Sequence, residues 1–155
     1  RHSPKLFIKK YRASGGTEYF ISFESPDKKI LYAFVRLRVP KTESTRKRGK
    51  NRQPFGWTPI SEILPELANA ALIRELHTYG HLVPIDNSHI IRKNSQIHSR
   101  VFQHLGLGKK LMAEAEKIAR KSGVKKIAVI SGIGVREYYK KIGYDPDGTY
   151  MVKNL

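Results

Sequence analysis

The chain contains 155 residues, of which 39% are hydrophobic and 10% are aromatic. That length and composition are typical of one globular domain with a hydrophobic core and exclude a disordered chain. The sequence has no apolar run near the ~20 residues that a membrane-spanning helix needs, and no signal-peptide pattern. It also has no cysteine, which excludes disulfides, cysteine-bound zinc and an iron–sulfur cluster held by this segment alone. We therefore expect a cytoplasmic domain without a membrane-spanning helix.

Charge is the strongest signal in the composition. Thirty Lys and Arg residues against thirteen Asp and Glu residues give a formal net charge of +17. Such an excess attracts polyanions, which include nucleic acids, nucleotide phosphates and acidic membranes. Residues 40–59 are rich in Pro, Gly and charge and have no hydrophobic period, and their cations are concentrated at residues 41–52. We predict a long loop there, which is either a solvated basic loop or a contact for a phosphate backbone.

The first part of the sequence predicts strands. Lys5–Tyr11 has the pattern of a short strand, and Glu18–Glu24 and Ile30–Val39 have the pattern of a hairpin, because the sequence SPDKK between them is typical of a turn. Alternate residues of the last strand are apolar and share one face. They are Leu31, Ala33, Val35, Leu37 and Val39. The other face carries aromatic rings and arginines, so we expect it to be partly solvated or covered by another element.

The middle of the sequence is less regular. We predict a short helix over residues 60–69, interrupted by Pro65. Residues 70–79 fit a helix or a strand by period alone, and we predict a strand that Gly80 ends, because the side chains fall into alternating sets. One set contains Leu72 and Leu76, and the other contains Ile73, Glu75 and His77. Residues 80–101 form a second irregular stretch.

The last part of the sequence alternates helices and strands. The apolar period that begins at Leu107 predicts an amphipathic helix, which Gly123 ends. Its apolar stripe consists of Leu107, Leu111, Met112, Ala115, Ile118 and Ala119. We then predict a strand, a short helix closed by Gly143 and a last strand, at Lys126–Ser131, Val135–Ile142 and Thr149–Lys153. Antiparallel strands followed by this alternation predict an α/β or α+β domain with a mixed sheet.

A glycine-rich turn, in the sequence FQHLGLGKK, opens the predicted amphipathic helix. It does not fit a Walker A loop, which needs a different spacing and a hydroxyl residue, or a dinucleotide fingerprint, because Leu111 stands at the third glycine position. Gly106 and Gly108 let an anion approach the unpaired N–H groups of the first helical turn, where Lys109 and Lys110 add positive charge. The pattern predicts a pyrophosphate site, with an ordinary glycine-rich helix start as the alternative.

A second motif, VREYYKKIGY, places Tyr138 and Tyr139 on the short helix that precedes Gly143 and Tyr144. A helix that starts with Gln-x-x-Gly-x-Gly, a strand, and a helix with Tyr-x-x-x-Gly-aromatic together resemble the GNAT acyltransferase superfamily. Four blocks resemble one family within it, the C-terminal acetyltransferase domain of the catalytic subunit of Elongator. They are LFIKKYRASGGTEYFISFE, ALIRELHTYGHLVPI, FQHLGLGKKLMAEAEKIA and KKIAVISGIGVREYYKKIGY. The resemblance extends over Lys5–Leu155, nearly the whole chain.

The superfamily resemblance implies a GNAT-like, mixed and mostly antiparallel central sheet with flanking helices. It also implies that the chain binds acetyl-CoA, with the pyrophosphate on backbone N–H groups at the start of the amphipathic helix. The residues implied at this point are Gln103, which would order the loop, and Gly106, Leu107, Gly108 and Lys109. The pantetheine would lie in a splay between two parallel strands, residues 71–79 and 126–131.

The same resemblance assigns roles to the strand before the splay. The backbone of Glu75, Leu76, His77 and Thr78 would pair with the pantetheine amides, as an added strand does. Glu75 or His77 would serve as the base for an attacking group, directly or through water. For His77 the alternative is a hydrogen-bonded structural imidazole.

The resemblance also implies a role for Tyr139, which lies four residues before Gly143. A tyrosine at this position donates a proton to the departing CoA thiolate or hydrogen-bonds its sulfur. We expect Tyr138, about 100° further round the helix, to pack instead. The alternative for both rings is a place in the hydrophobic core.

Membership of the Elongator family would imply modification of the wobble uridine of tRNA toward 5-carboxymethyluridine. Full-length members carry an upstream radical S-adenosylmethionine domain with a [4Fe–4S] cluster. Because the sequence opens on Arg1 and shows nothing of that domain, we expect residues 1–155 to be a single GNAT-type domain from a longer chain. The superfamily usually has one or two helices after its first strand, but here a tight turn at Ser14–Gly16 leads almost directly to the next strand. The acceptor side of the site would then be open or completed by the upstream domain. The long stretch 80–101 would clamp substrate or block CoA.

Two other functions stay open at this point. One is a protein lysine N-acetyltransferase, in which Glu75 would deprotonate an amine, although a +17 chain suits RNA better than basic peptides. The other is a non-catalytic RNA-binding module with a GNAT-like shell. The six histidines show no metal-ligand spacing on a helix, so we predict no metal site. The sequence does not decide whether the chain forms a homodimer.

Overall fold

The structure is a computed structural model, and it describes residues 3–13, 15–40, 64–79 and 106–155. Most of the predicted loop 40–59, residues 60–63 of the predicted helix, the irregular stretch 80–101 and Gln103 lie outside the described residues, whereas Pro40 ends a strand. In the described ranges, no helix has the length and apolar character that crossing a membrane requires.

The described strands form one mixed sheet. In chain order they are β1 (Lys5–Ala13), β2 (Gly16–Glu24), β3 (Leu31–Pro40), β4 (Ala70–Thr78), β5 (Lys126–Ile130), β6 (Asp145–Asp147) and β7 (Tyr150–Asn154). Their order across the sheet is β1-β2-β3-β4-β5-β7-β6, and every neighbouring pair is antiparallel except β4 and β5. Helix α1 (Leu107–Lys121) precedes β5, and the short helix α2 (Arg136–Lys141) follows it. The predicted mixed, mostly antiparallel sheet with flanking helices is confirmed.

The first three strands follow the predicted antiparallel order. The alternating pattern of β3 buries its apolar face, and Ala33, Val35 and Leu37 are inaccessible to solvent. Among the described strands, β1 pairs with β2 only and lies at one edge of the sheet. Most of its side chains are exposed, and the charged ones among them are Lys5, Lys9, Lys10 and Arg12.

A β-bulge interrupts the pairing of β4 with β3. Arg36 of β3 pairs with Glu75, but the next residue, Leu37, pairs with Ile73. Arg74 is therefore an extra residue on β4. An extra residue of this kind bends its strand and increases the local twist.

The bulge changes which side chains of β4 share a face. Because the two-residue period is interrupted at Arg74, Ile73 and Leu76 lie on the core face, and Leu72 lies on the other face with Glu75 and His77. The predicted strand is confirmed, but the predicted alternating sets are wrong, since they put Ile73 with Glu75. The predicted common face of Glu75 and His77 is correct.

The parallel pairing of β4 with β5 is short. It runs from Ala70 opposite Lys126 to Ile73 opposite Val129, and it stops at the residue before the bulge. Beyond this point Arg74 is the bulge residue, and the described residues 75–78 of β4 pair with β3 alone. The ladder between the two parallel strands therefore ends here, and beyond it the backbone of β4 has no strand partner on the side of β5 in the described part of the chain.

Helix α1 covers the core face of the sheet. Its predicted apolar stripe is buried, apart from the partly exposed Ile118. The helix ends as predicted: Gly123 has φ +78°, and the N–H of Val124 donates to the Ala119 carbonyl at 3.2 Å. This is a Schellman motif, which a left-handed residue makes possible. α2 ends in the same way, with Gly143 at φ +87°.

One predicted element needs correction, and one strand was not predicted. Pro65 does not interrupt a helix; it begins a 3₁₀ turn, Pro65–Leu67, because its fixed φ and missing N–H suit the first position. β6 has no counterpart among the predicted elements, because its sequence DPD has no aliphatic or aromatic residue. It pairs with β7 across a turn at Gly148.

A buried carboxylate joins α1 to the end of the chain. Glu116 is 7% exposed and accepts hydrogen bonds from the Tyr144 hydroxyl at 3.1 Å and from Lys153 Nζ at 3.0 Å. Lys153 Nζ also donates to the Ile142 carbonyl at 2.9 Å. One carboxylate thus holds α1, the end of α2 and β7 together.

We expect Lys153→Met to destabilise the fold by ~2–3 kcal/mol, because it removes the nearer of the two cations on the buried Glu116 carboxylate and leaves only Arg120, at 3.7 Å. Urea unfolding followed by circular dichroism measures the change. Lys125→Met, at an exposed position just before β5, is the matched control and should cost less than ~0.5 kcal/mol. Equal losses in the two variants would contradict the proposed role of the pair.

Candidate functional site

The start of α1 has the geometry predicted for an anion site. Gly106 is its N-cap residue and has φ +89°, which favours glycine. Among the described residues, no side chain caps this terminus, and the first turn has no acidic residue. The first N–H groups of a helix have no intrahelical partner and carry the positive end of its dipole. Lys109 and Lys110 are exposed beside them.

Gly108 lies where three elements meet. A Cβ atom built on Gly108 would be 3.1 Å from the Tyr138 hydroxyl oxygen and 3.6 Å from Thr78 Cγ2. The first turn of α1, helix α2 and the end of β4 therefore converge at this glycine. Any larger side chain would occupy the space that the tyrosine hydroxyl faces.

The Tyr138 hydroxyl is buried and has no hydrogen-bond partner among the described residues. Burial, with a smaller contribution from the neighbouring Tyr139, raises the pKa of Tyr138 to about 12. The phenol therefore keeps its proton at neutral pH. A buried donor without an acceptor is costly, so this hydroxyl is suited to a ligand atom that arrives beside Gly108.

Tyr139 occupies a different environment. It is 6% exposed, belongs to the main core, and meets the rings of Tyr138 and Tyr144 edge to face at 5.2 and 5.9 Å. Burial raises the pKa of Tyr139 above its usual value. The packing differs from the predicted contrast, in which Tyr138 packs and Tyr139 faces the site: Tyr139 is the more buried ring, and Tyr138 presents its hydroxyl to α1.

The predicted strand residues separate onto two faces. Leu76 and Thr78 lie on the α1 face, and Thr78 reaches Gly108. Glu75 and His77 lie on the opposite face and are exposed. The open backbone of residues 74–78 lies between the two faces.

The exposed pair on β4 has neighbours on β3. The Glu75 carboxylate is 3.7 Å from an Arg36 guanidinium nitrogen. The His77 ring stacks on Phe34, with ring centroids 5.9 Å apart. Both side chains thus lie beside the strand that pairs with β4, and away from Tyr138.

Comparison with known proteins gives a family for this arrangement. The family profile described as "Acetyltransferase (GNAT) domain" matches residues 77–154, which contain the end of β4, α1, β5 and both tyrosines. The chain belongs to the GNAT acetyltransferase domain family. The predicted fold class and the predicted acyltransferase domain are therefore confirmed.

Individual relatives are similar over almost the whole of this GNAT domain. "Elongator complex protein 3" of Danio rerio is 42% identical over 153 residues, which are 97% of this chain and 23% of the relative. "tRNA uridine(34) acetyltransferase" of Methanocaldococcus jannaschii is 40% identical over 152 residues, also 97% of this chain and 23% of the relative. The predicted resemblance to the Elongator proteins is confirmed, and the chain spans about a quarter of their length.

A solved structure is similar as well. The archaeal Methanocaldococcus infernus Elp3, with an N-terminal deletion (1–46), superposes with a TM-score of 0.64 at 38% sequence identity. The similarity covers 99% of this chain and 30% of that chain. It supports the same fold for the GNAT domain over β1 to β7.

Two features of the GNAT domain are absent from the predictions. One is the deeper burial of Tyr139 than of Tyr138, which the packing of α2 against the core decides and the local sequence does not. Glu116 is the other, although it lies four residues after Met112 on the apolar stripe and so has the spacing of a buried position. Within the described ranges there is no cluster of His, Asp or Glu that would hold a metal ion.

The raised pKa of Tyr138 predicts a pH dependence of stability. Below about pH 10 the phenol is neutral in both the folded and the unfolded chain. Above it the unfolded tyrosine ionises while the folded one stays neutral up to about pH 12, so unfolding releases a proton and stability falls as the pH rises. We expect the urea midpoint to fall less steeply above about pH 10 in Tyr138→Phe than in the parent chain.

Tyr11→Phe is the control for this measurement, because Tyr11 is 41% exposed on the edge strand. Its midpoint should follow the parent curve at every pH. A Tyr138→Phe curve parallel to the parent would show that the hydroxyl is not protected from ionisation.

Proposed function

We propose that this GNAT domain binds acetyl-CoA and cleaves its thioester as part of a tRNA-modifying enzyme that acts on the wobble uridine. The observation that carries the proposal is the convergence at Gly108 of the uncapped start of α1, the end of β4 and a buried phenol. The name of the Methanocaldococcus jannaschii relative, tRNA uridine(34) acetyltransferase, supports uridine 34 of tRNA as the target.

The start of α1 fits the diphosphate of the acyl donor. Backbone N–H groups of Leu107, Gly108 and Lys109 would hold the diphosphate, and Gly106 would let it approach. Gln103, outside the described residues, would order the preceding loop. The helix start therefore supplies one end of the binding site.

The open strand fits the pantetheine arm. In the described chain the backbone of residues 74–78 has no strand partner on the side of β5. It would pair with the pantetheine amides as an added strand does. The residues that contribute this backbone are Glu75, Leu76, His77 and Thr78.

Acetyl-CoA supplies an activated acetyl thioester at this place. Cleavage transfers the acetyl carbon to an attacking oxygen, nitrogen or carbon atom and leaves a thiolate, which needs a proton. Tyr139 is our proposed proton donor, because its raised pKa keeps it protonated and its motif position matches that role. Tyr138 is placed to hydrogen-bond the sulfur or carbonyl, because its unpartnered hydroxyl faces the first turn of α1.

Glu75 is the proposed base for the attacking group. Its carboxylate is accessible to water, and its contact with Arg36 is long, at 3.7 Å. An exposed carboxylate on this face accepts a proton directly or through one water molecule. His77 is exposed on the same face, two residues further along β4, and is the alternative base.

The remaining parts of the proposed enzyme lie outside this chain. The carboxymethyl chemistry would need an upstream radical S-adenosylmethionine domain with its [4Fe–4S] cluster, and residues 1–155 would be the acyl-donor domain of that longer protein. Basic residues at 41–52 and 89–110 would contact tRNA phosphates. We propose the cytoplasm as the compartment, since tRNA and acetyl-CoA are both present there.

A protein lysine acetyltransferase is the second candidate, because Glu75 is equally able to deprotonate an amine. A net charge of +17 opposes the approach of basic peptides and favours RNA. Incubation with labelled acetyl-CoA and either tRNA or a lysine-rich peptide separates the two functions. Transfer of label to the peptide, with no response to tRNA, would replace our proposal with the second one.

Tyr139→Phe should lower the rate of thioester cleavage by about 10²-fold and leave acetyl-CoA affinity near that of the parent, because it removes only a proton donor. Release of free thiol measures the rate, and calorimetry measures the affinity. Tyr138→Phe tests the second hydroxyl in the same assays. An unchanged rate in Tyr139→Phe with a reduced rate in Tyr138→Phe would transfer the acid role to Tyr138.

Gly108→Val should weaken acetyl-CoA binding by at least about tenfold, because a branched side chain blocks the N–H groups of the first turn. Ala113→Val, on the exposed face of the same helix, is the matched control and introduces the same branched side chain. Calorimetric titration with acetyl-CoA measures both. Normal binding by Gly108→Val would place the diphosphate elsewhere.

A further inference from the structure

A row of aromatic rings crosses the sheet on the face opposite α1. We call it the aromatic row; its members are Phe20 of β2, Phe34 of β3, His77 of β4 and Tyr79 just after β4. Successive ring centroids are 5.1, 5.9 and 4.4 Å apart, and the first two pairs are stacked with interplanar angles of 21°. The pairing of Phe34 with His77 across the strands fixes two of the rings side by side.

The aromatic row becomes more exposed toward β4. Phe34 is 8% exposed, because its neighbours in the row flank it, whereas Tyr79 is 44% exposed and His77 is also exposed. α1 and α2 pack on the other face of the sheet. Among the described elements, the 3₁₀ turn Pro65–Leu67 also packs on this face, but away from the row, where Leu67 joins the cluster of Ala70, Ala128 and Val152. The ring of Tyr79 therefore ends the row with an accessible aromatic surface.

Cations surround the aromatic row. The strand register and the bulge place five cations on the same face of β1 to β4 as the aromatic row. Three carboxylates also lie on this face, those of Glu18, Glu24 and Glu75. A single oxygen of the buried Glu18 accepts from two of the cations, at 2.9 and 3.1 Å. The surplus leaves this part of the face positively charged. The five cations are Lys5, Lys9, Arg36, Arg38 and Arg74.

We infer that the aromatic row binds unpaired bases of RNA, with Tyr79 and His77 as the stacking surface. Sheet faces that carry aromatic rings and arginines bind single-stranded RNA in this way, because bases stack on the rings and phosphates contact the cations. The positive charge selects RNA over a basic peptide as the occupant. The inference rests on the proposed function, and it specifies that the acceptor reaches the site as an extruded nucleotide.

The location of the aromatic row relative to β4 agrees with this role. His77 and Glu75 are two residues apart on the same strand and face. A base stacked on Tyr79 and His77 would therefore lie next to the proposed base catalyst and on the opposite side of the β4 backbone from Tyr138. The acyl donor and the acceptor would approach the same five residues of β4 from its two faces.

The test uses the 155-residue chain and a single-stranded RNA dodecamer with one 2-aminopurine, whose fluorescence reports stacking. We expect the parent chain to quench the fluorescence on binding, and Tyr79→Ala to weaken binding about tenfold with loss of the quenching. Tyr79→Phe should bind normally, and Tyr79→Leu should bind as weakly as Tyr79→Ala, because it keeps the apolar volume without the ring. Ile8→Ala, at a similar exposure of 47% but on the opposite face of β1, should bind as the parent does.

Salt and duplex RNA separate stacking from charge. Lys9→Gln should reduce the slope of log affinity against log salt by about one unit, whereas Tyr79→Ala should leave the slope unchanged. A duplex of the same sequence should bind without quenching. Equal affinity and quenching for the parent and Tyr79→Ala would overturn the inference and leave the face for another polypeptide segment.

Acetyl-CoA titration of the same variants distinguishes this inference from the proposed function. If the parent binds acetyl-CoA but RNA binding is insensitive to Tyr79, the inference fails and the proposed function stands. If RNA binding depends on Tyr79 but the parent does not bind acetyl-CoA, the proposed function fails and the chain is an RNA-binding module.

Discussion

The end of the β4–β5 pairing at Ile73 is the constraint on which the site depends. Up to that residue the two parallel strands share a hydrogen-bond ladder, and at the next residue the bulge at Arg74 bends β4 away. The same point in the chain therefore ends the ladder, leaves the following backbone of β4 without a described partner on the side of β5, and reassigns the faces of the side chains that follow. A helix start alone would offer an anion site; the open strand beside it is what gives a long ligand a second place to bind.

The division of β4 into two faces separates two kinds of chemistry. On the core side, Thr78, Gly108 and the Tyr138 hydroxyl form a compact corner, where burial of the phenol favours its neutral form. On the other side, Glu75 and His77 are exposed among aromatic rings and arginines. In our proposal, acyl-donor binding and acceptor binding would use different side chains and would share only the backbone of one strand.

Hydrophobic period predicts most of this fold, and its failures have physical causes. It identifies the stripe of α1 and the alternation of β3 from Ala33 to Val39 correctly, because each buries one continuous face. It is wrong for Leu31, because a second bulge at Tyr32 pairs Leu31 with Glu24 and puts Tyr32 in the core. The bulge at Arg74 is not predictable from period, since an extra residue leaves no mark on residue type. The unequal burial of Tyr138 and Tyr139 is not predictable either, because adjacent residues of one short helix have the same local sequence signal and only packing separates them. The strand β6 has no aliphatic or aromatic residue and is held by pairing with β7 alone.

The two edges of the sheet carry opposite charges. β1 presents Lys5, Lys9, Lys10 and Arg12, whereas β6 presents Asp145 and Asp147. Like charges prevent β1 from adding to the β1 of a second copy, and the attraction of β1 for β6 is limited to three residues, one of which is a proline without an N–H group. For the described strands, this charge pattern disfavours open-ended growth of the sheet into fibres, even though Leu6 and Ile8 leave apolar surface on the same edge.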